Sequence, residues 1–345
     1  MTKKFILIFF LFIILNFNLY AENNRYFEFD KGIIALMYHR FNEHKYPSTN
    51  IQMSEFKKQI ELIEKLNIKY FDPKNFEKKF NQVNSEKSIM ITIDDGFESF
   101  YQNAWPFLKS KKIPFLLFIS TSYVGKNGYM NWDQILEIKN SGLGTIGNHS
   151  HSHEYLTDFT YENIIIDIKK SINIFKNKLG YNPIYFSYPF GEYGNNFKEI
   201  IKDLDFKFAF GQQSGVIDLT KNPFELPRFP INEKYGDIER FKFLINLLPF
   251  QFKEILPEEK LLLSHQNPPN VIVNFFDDQK NLNNISCYSN ENNKWRKSNL
   301  SFLKENKLNI LINEKFTTER GRINCSLNDN LGWRWFGIQF VISEN

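Results

Sequence analysis

Cysteine is nearly missing from this chain: only Cys287 and Cys325 occur in 345 residues, and neither stands in a metal-binding spacing. That excludes a cysteine-ligated zinc or iron–sulfur centre. An excess of charge is missing too, since 43 Lys and Arg face 39 Asp and Glu, and the bases are scattered rather than gathered into a stripe. The electrostatic footprint of a nucleic-acid binder is therefore excluded. Internal repeats are absent, and no low-complexity linker occurs beyond an Asn-rich patch at residues 281–293. Gly and Ala are scarce while Phe, Tyr, Ile, Asn and Lys are abundant, a compositional bias that raises the background against which any aromatic must be judged.

Long apolar runs are confined to the start of the chain. A basic opening through Lys3 and Lys4 leads into apolar residues 5–15, then Asn16, Asn18 and a small residue at Ala21. Residues 1–21 read as a secretory signal peptide. The rival reading is an uncleaved membrane anchor, although the run falls short of the roughly 20 residues that span a bilayer. Either way the protein is expected to be exported: periplasmic, held at the cell envelope, or secreted. In an oxidising compartment Cys287 and Cys325 invite a disulfide, the alternative being two buried thiols.

What is present is a chain with 42% apolar residues, enough to bury two cores. Between residues 32 and 248, short apolar runs alternate with amphipathic stretches. Strands are predicted at 33–37, 88–93, 114–119, 144–147, 184–188 and 206–210, and helices at 53–66, 97–110, 132–141, 161–179 and 197–204. That alternation is the pattern of β-α units around a parallel sheet. After Pro268 and Pro269 the character changes to short alternating runs separated by Asn, Asp, Lys and Gly turns. The expected organisation is an α/β barrel of about seven strands over residues 31–255, with a small all-β domain over residues 266–345.

Two clusters carry chemistry. Thr92-Ile93-Asp94-Asp95-Gly96 puts adjacent carboxylates at the carboxyl end of a predicted strand, where α/β folds place their sites. A turn permitted by Gly96 can bring both into one cleft, one to bind a cation and the other to handle a proton. The bland alternative is a polar turn with a helix cap. Gly147-Asn148-His149-Ser150-His151-Ser152-His153 collects three of the six histidines. His149 and His153, four apart, would share a face of a helical turn and suit one metal, leaving His151 to point away. Two imidazoles and one carboxylate leave positions for water and substrate, as catalytic metal sites do. Phe186-Ser187-Tyr188-Pro189-Phe190-Gly191 adds a loop whose backbone N–H groups could face an oxyanion.

In that order these three segments resemble the first motifs of the polysaccharide deacetylase (NodB-homology, carbohydrate esterase) family, whose fold is a distorted (β/α) barrel. The resemblance covers about residues 32–248. It implies Asp94 as general base, Asp95, His149 and His153 as ligands of a divalent metal, and the backbone of Phe190 as an oxyanion donor. Zinc suits those ligands best, with Fe, Co, Ni or Mn also admitted. The implied reaction is removal of N-acetyl groups from a cell-envelope or extracellular polysaccharide, with release of acetate.

The chain departs from the family pattern at Ser187, where many members carry Arg. Arg228, in Leu226-Pro227-Arg228, is a candidate to take over the orientation of Asp94 or to contact substrate, a surface arginine being the alternative. Ala35-Leu36-Met37-Tyr38-His39 resembles the permuted branch typified by poly-N-acetylglucosamine deacetylases, which implies His39 as general acid; His265 is the competing position. Rival functions are a carbohydrate-binding protein on a deacetylase-like frame and another metal amidohydrolase. In Trp333-Arg334-Trp335-Phe336 the aromatics suit either a sugar platform or core packing.

Overall fold

The computed structural model describes residues 31–80, 86–277 and 279–343. The expected signal peptide or anchor at residues 1–21 lies outside them, and no helix among the described residues is long and apolar enough to cross a membrane. Eight parallel strands form the first sheet: β1 (Ile33–Tyr38), β2 (Lys69–Tyr70), β3 (Ser88–Ile93), β4 (Phe115–Ile119), β5 (Gly144–Asn148), β6 (Tyr185–Ser187), β7 (Phe208–Phe210) and β8 (Phe229–Pro230). Seven run in the order β8-β1-β3-β4-β5-β6-β7, and the short β2 pairs with the start of β3. Phe210 bridges to Leu226, and Phe229 pairs with Leu36, so the stretch 226–230 touches both edges and closes a distorted barrel.

Strands β1 and β3 are buried at every position, as expected where one face fills the barrel and the other is covered by helices. The alternation sorts their residues. Ile33, Ala35, Met90, Leu116, Phe118, Tyr185, Phe208 and Phe210 pack into one cluster inside the barrel. Their neighbours Ile34, Leu36, Ile89, Ile91, Phe115 and Leu117 pack outward in another, against helices α1 (Met53–Lys65), α2 (Trp105–Lys111) and α3 (Trp132–Asn140). Helix α4 (Tyr161–Leu179) is capped by the Thr160 side chain and stopped by Gly180 at φ 81°. Helices α5 (Asn195–Asp203) and α6 (Ile238–Leu244) complete the cover.

One predicted helix, 97–110, is not uniform. A π-helical turn spans Phe100–Ala104 and the α-helix begins only at Trp105. Pro106 explains the restart, because it lacks an N–H and fits the first turn of a helix better than its interior.

Pairing draws residues 248–262 into the C-terminal sheets. A six-stranded sheet holds β9 (Leu248–Pro249), β11 (Leu261–Leu262), β13 (Ser286–Ser289), β14 (Arg296–Lys297) and the long hairpin β17 (Arg320–Asp329) to β18 (Gly332–Ile342). A four-stranded sheet holds β10 (Glu254–Leu256), β12 (Val271–Asn274), β15 (Asn299–Lys304) and β16 (Lys307–Leu311). Side chains from both sheets, among them Leu262, Val273, Ile310, Ile323 and Phe340, meet in one core.

Cys287 and Cys325 face each other across the β13–β17 ladder and are bonded within that core. The crosslink spans 38 residues of chain, and the chain-entropy relation for such a loop gives about 4 kcal/mol as an upper figure. Replacing both cysteines with serine is expected to lower the unfolding midpoint of the C-terminal sheets in calorimetry. A melting profile unchanged by that double substitution would show that the crosslink contributes nothing to stability.

Candidate active site

Register brings the site together. Ile33 to Tyr38 pairs residue for residue with Ser88 to Ile93, so the residues that leave the sheet next, His39 and Asp94, emerge side by side; the Asp94 N–H donates to the Tyr38 carbonyl at 2.9 Å. On the far side Ile119 pairs with Asn148, which places His149 at the same rim. Parity does the rest. Residues 35, 37 and 39, 90, 92 and 94, 147 and 149, and 185 and 187 share the inward face of their strands. Gly147 belongs to that set because a Cβ there would lie 2.7 Å from the Phe118 ring.

Asp94 is fully buried, and so is Arg228. The guanidinium grips the carboxylate with both forks, Nη1 to Oδ1 at 2.7 Å and Nη2 to Oδ2 at 2.8 Å. It also donates to Ser187 Oγ at 2.8 Å, while its Nε donates to the Gly211 carbonyl. The small Ser187 leaves the volume that the Arg228 side chain fills. A contact of Arg228 with substrate, one of the two roles expected for it, is contradicted by this burial. Burial raises the Asp94 carboxyl, but Arg228 and the neighbouring imidazoles outweigh it and hold the group below the usual carboxylate range.

Asp95 turns away from its neighbour through φ 72°, followed by Gly96 at φ 76°, and so reaches the cleft mouth instead of the outer face of the sheet. Its Oδ1 lies 3.3 Å from His149 Nε2 and 3.1 Å from His153 Nε2. Ligand atoms of these three residues all fall within 4.8 Å of one another. His149 Nδ1 donates to the Ser187 carbonyl at 2.6 Å, so the lone pair is left on Nε2, on the side of Asp95. One carboxylate and two imidazoles so arranged fit a divalent cation. Burial again works against the charge on Asp95, but the adjoining imidazoles of His149 and His153 hold it well below the ordinary range. His153 is held above its ordinary value by Asp95 in spite of burial.

The helical spacing expected of His149 and His153 is not what joins them. The segment after β5 is a loop in which Ser150 (φ 67°) and His153 (φ 55°) take left-handed conformations. The Asp167 carboxylate on α4 accepts the N–H groups of His151 and Ser152 and holds the loop. His151 turns aside and shares a hydrogen bond with Thr121 Oγ1. Left-handed backbone outside glycine costs about 1–3 kcal/mol per residue. Asp95, Ser150, His153 and Phe190 all adopt it around this one cleft.

Phe190, at φ 57° beside Gly191 at φ 71°, stacks its ring on Tyr155 at 4.2 Å and meets His153 edge-on. His39 is half-buried and lines the same cleft as Asp95, His149, His153 and Phe190. Burial pulls its pKa down, with Asp95 and Asp94 pushing back. His265 is exposed on the short turn Ser264–Gln266. A family model described as polysaccharide deacetylase matches residues 81–209. Over that stretch the barrel is similar to the polysaccharide deacetylase family.

Relatives extend the deacetylase match beyond that stretch. A poly-beta-1,6-N-acetyl-D-glucosamine N-deacetylase from Staphylococcus aureus is 25% identical over 233 residues, 59% of this chain and 80% of the relative. Its counterpart from Staphylococcus epidermidis is 23% identical over 240 residues, 61% of this chain and 83% of the relative. Among solved structures, IcaB from Ammonifex degensii superposes with a TM-score of 0.57 at 24% identity, over 63% of this chain and 97% of that one. The Streptococcus pyogenes deacetylase PplD, solved with acetate, also gives 0.57, at 21% identity over 62% of this chain and 98% of that one. These two share the barrel fold of the deacetylase domain.

Sequence reasoning missed one whole side of the cleft. A volume of about 660 Å³ is bounded by the barrel rim and also by Trp295, Arg320, Arg322, Asn324 and Trp335 of the C-terminal sheets. Of the Trp333–Phe336 aromatics, Trp335 alone lines the cleft, its Nε1 donating to Ser214 Oγ, whereas Phe336 is core and Trp333 lies against Phe243. The alternation Arg320-x-Arg322-x-Asn324 along β17 was the available signal, because in a strand it puts three polar residues on one face.

Proposed function

We propose that this protein is an exported metal-dependent hydrolase that removes N-acetyl groups from an extracellular or cell-envelope polysaccharide and releases acetate. The observation that carries the reading is the convergence of Asp95, His149 and His153 within 4.8 Å beside a buried, arginine-held Asp94. Asp95, His149 and His153 would hold the cation, zinc being the best match to that ligand set. When bound it supplies Lewis acidity toward an acetamide carbonyl and toward water.

Asp94, kept ionised and oriented by Arg228, takes the proton of the attacking water. The Phe190 backbone N–H donates to the developing oxyanion. His39 protonates the departing nitrogen, and the lowered pKa of its imidazole makes the protonated form a stronger acid toward that amine. The S. aureus and S. epidermidis relatives act by name on poly-beta-1,6-N-acetyl-D-glucosamine, which makes β-linked N-acetylglucosamine the first polymer to test. Residues 1–21 direct export, and the division between the barrel and the C-terminal unit falls between α6 and β9.

The test is acetate release from a small panel of purified N-acetylated polymers by protein stripped with a chelator and then reloaded. Release that vanishes on stripping and returns with zinc is expected. Equal release before and after verified removal of metal would overturn metal dependence, and release from acetylated small amines but from no polymer would favour the rival amidohydrolase reading.

A further inference from the structure

The β17–β18 hairpin closes one side of the cleft, and its alternation decides what it presents there. Gly321 is buried, and Ile323, Cys325 and Leu327 join the core of the C-terminal sheets. Arg320, Arg322 and Asn324 therefore face the other way, into the cleft, with Arg240 lining the barrel side. Among the described residues that line this volume, Asp95 is the one carboxylate, and it is already engaged with two imidazoles.

The guanidinium groups are only partly neutralised. Arg322 Nε donates to the side-chain carbonyl of Gln339 at 3.1 Å, a neutral partner. Arg320 Nε lies 2.9 Å from the buried Glu192 Oε1 without the alignment of a hydrogen bond, and its other carboxylate partner, Glu319, is exposed. Burial pushes the Glu192 carboxyl up to about 7 despite Arg320, so at neutral pH it is an incomplete counter-ion. Arg240 donates to the Tyr235 carbonyl, with Asp237 as the nearby acid. Like charges held together in a partly buried concavity are costly until an anion arrives, and guanidinium is the side chain best shaped to receive carboxylate or phosphate.

The position relative to the chemistry is close. Arg320 Cζ lies 5.8 Å from the centre of the Phe190 ring, which itself touches His153. Trp295 and Trp335 line the same volume, and indole is a side chain on which sugar rings can stack.

We propose that Arg322 and Arg320 form an anion subsite on the wall of the active-site cleft, and that the preferred substrate is an N-acetylated glycan carrying a carboxylate or phosphate near the sugar that loses its acetyl group. This rests on the deacetylase reading and narrows it. A neutral polymer offers these arginines no counter-charge, and its deacetylated product, a cation, would be repelled by them.

Binding and turnover are measured separately on zinc-loaded full-length protein. Three probes are used: a neutral N-acetylglucosamine hexamer, an oligomer alternating N-acetylglucosamine with N-acetylmuramic acid, and an N-acetylglucosamine oligomer bearing phosphodiesters. Calorimetry is expected to show an acidic probe bound roughly tenfold or more tighter than the neutral one, a preference that fades as salt is added. Whether the carboxylate or the phosphate probe leads identifies the natural group. Arg322→Gln should abolish the preference and Arg322→Lys should retain part of it, both leaving the affinity for the neutral probe within about twofold. Neutral and acidic probes bound equally by the unmodified protein would overturn the subsite without recourse to any variant. Salt-sensitive, Arg322-dependent binding with no acetate released from any probe would instead sink the deacetylase reading and leave the anion subsite standing.

Discussion

Asp95→Ala and His149→Ala will each lose both metal and acetate release. Asp95 Oδ1 is the atom that both imidazole Nε2 atoms approach, at 3.3 and 3.1 Å, so its removal leaves two histidines facing an empty corner. His149 has its ring fixed by the Ser187 carbonyl, and no other donor among the described residues joins the group. Even partners one layer behind a metal ligand change affinity by about 10–100-fold, and losing a ligand outright should exceed that. Metal content after dialysis, read by mass spectrometry, together with acetate release checks this; full occupancy in either variant would refute the ligand set. Asp94→Asn makes the contrast. It should keep metal, because Asp94 belongs to Arg228, and lose about 10²–10⁴-fold in turnover, because only proton transfer has been removed. Near-normal turnover would mean that another residue is the base.

His39→Ala is expected to keep metal and stability while kcat falls by about 10²–10⁴-fold, with His265→Ala close to silent. The two histidines occupy different surroundings. His39 leaves β1 beside Asp94 and lines the cleft, whereas His265 sits exposed on a turn next to β11. A loss of comparable size in His265→Ala, with His39→Ala unaffected, would reverse the assignment of the acid and end the likeness to the permuted branch.

Much of the barrel was legible because its signals are local. Strands buried on both faces read as unbroken apolar runs, and amphipathic stretches between them read as helices. The histidine cluster and the paired aspartates stood out by density alone. The local geometry assigned to His149 and His153 did not survive, because a spacing of four suits a helix only where the chain is helical. Here two left-handed residues and the Asp167 carboxylate bend a loop to the same end. Such a loop leaves no periodic trace in sequence.

Arg228 shows where reading along the chain stops. It lies 134 residues from Asp94, and nothing near it distinguishes a surface arginine from a buried clamp. Only closure of the barrel, which seats 226–230 between β7 and β1, carries it inward, and only the small Ser187 leaves it room.

The sequence by itself determined the α/β class, the strand ends that bear Asp94, Asp95, His149 and His39, and the all-β character of the tail, since each depends on residue type and short-range period. Tertiary structure decided the partner of Asp94, the adherence of residues 248–262 to the C-terminal sheets, and the placement of Arg320 and Arg322 across the cleft from the barrel. These depend on contacts between segments far apart in the chain, and strand register and barrel closure select such contacts only once the whole core has formed.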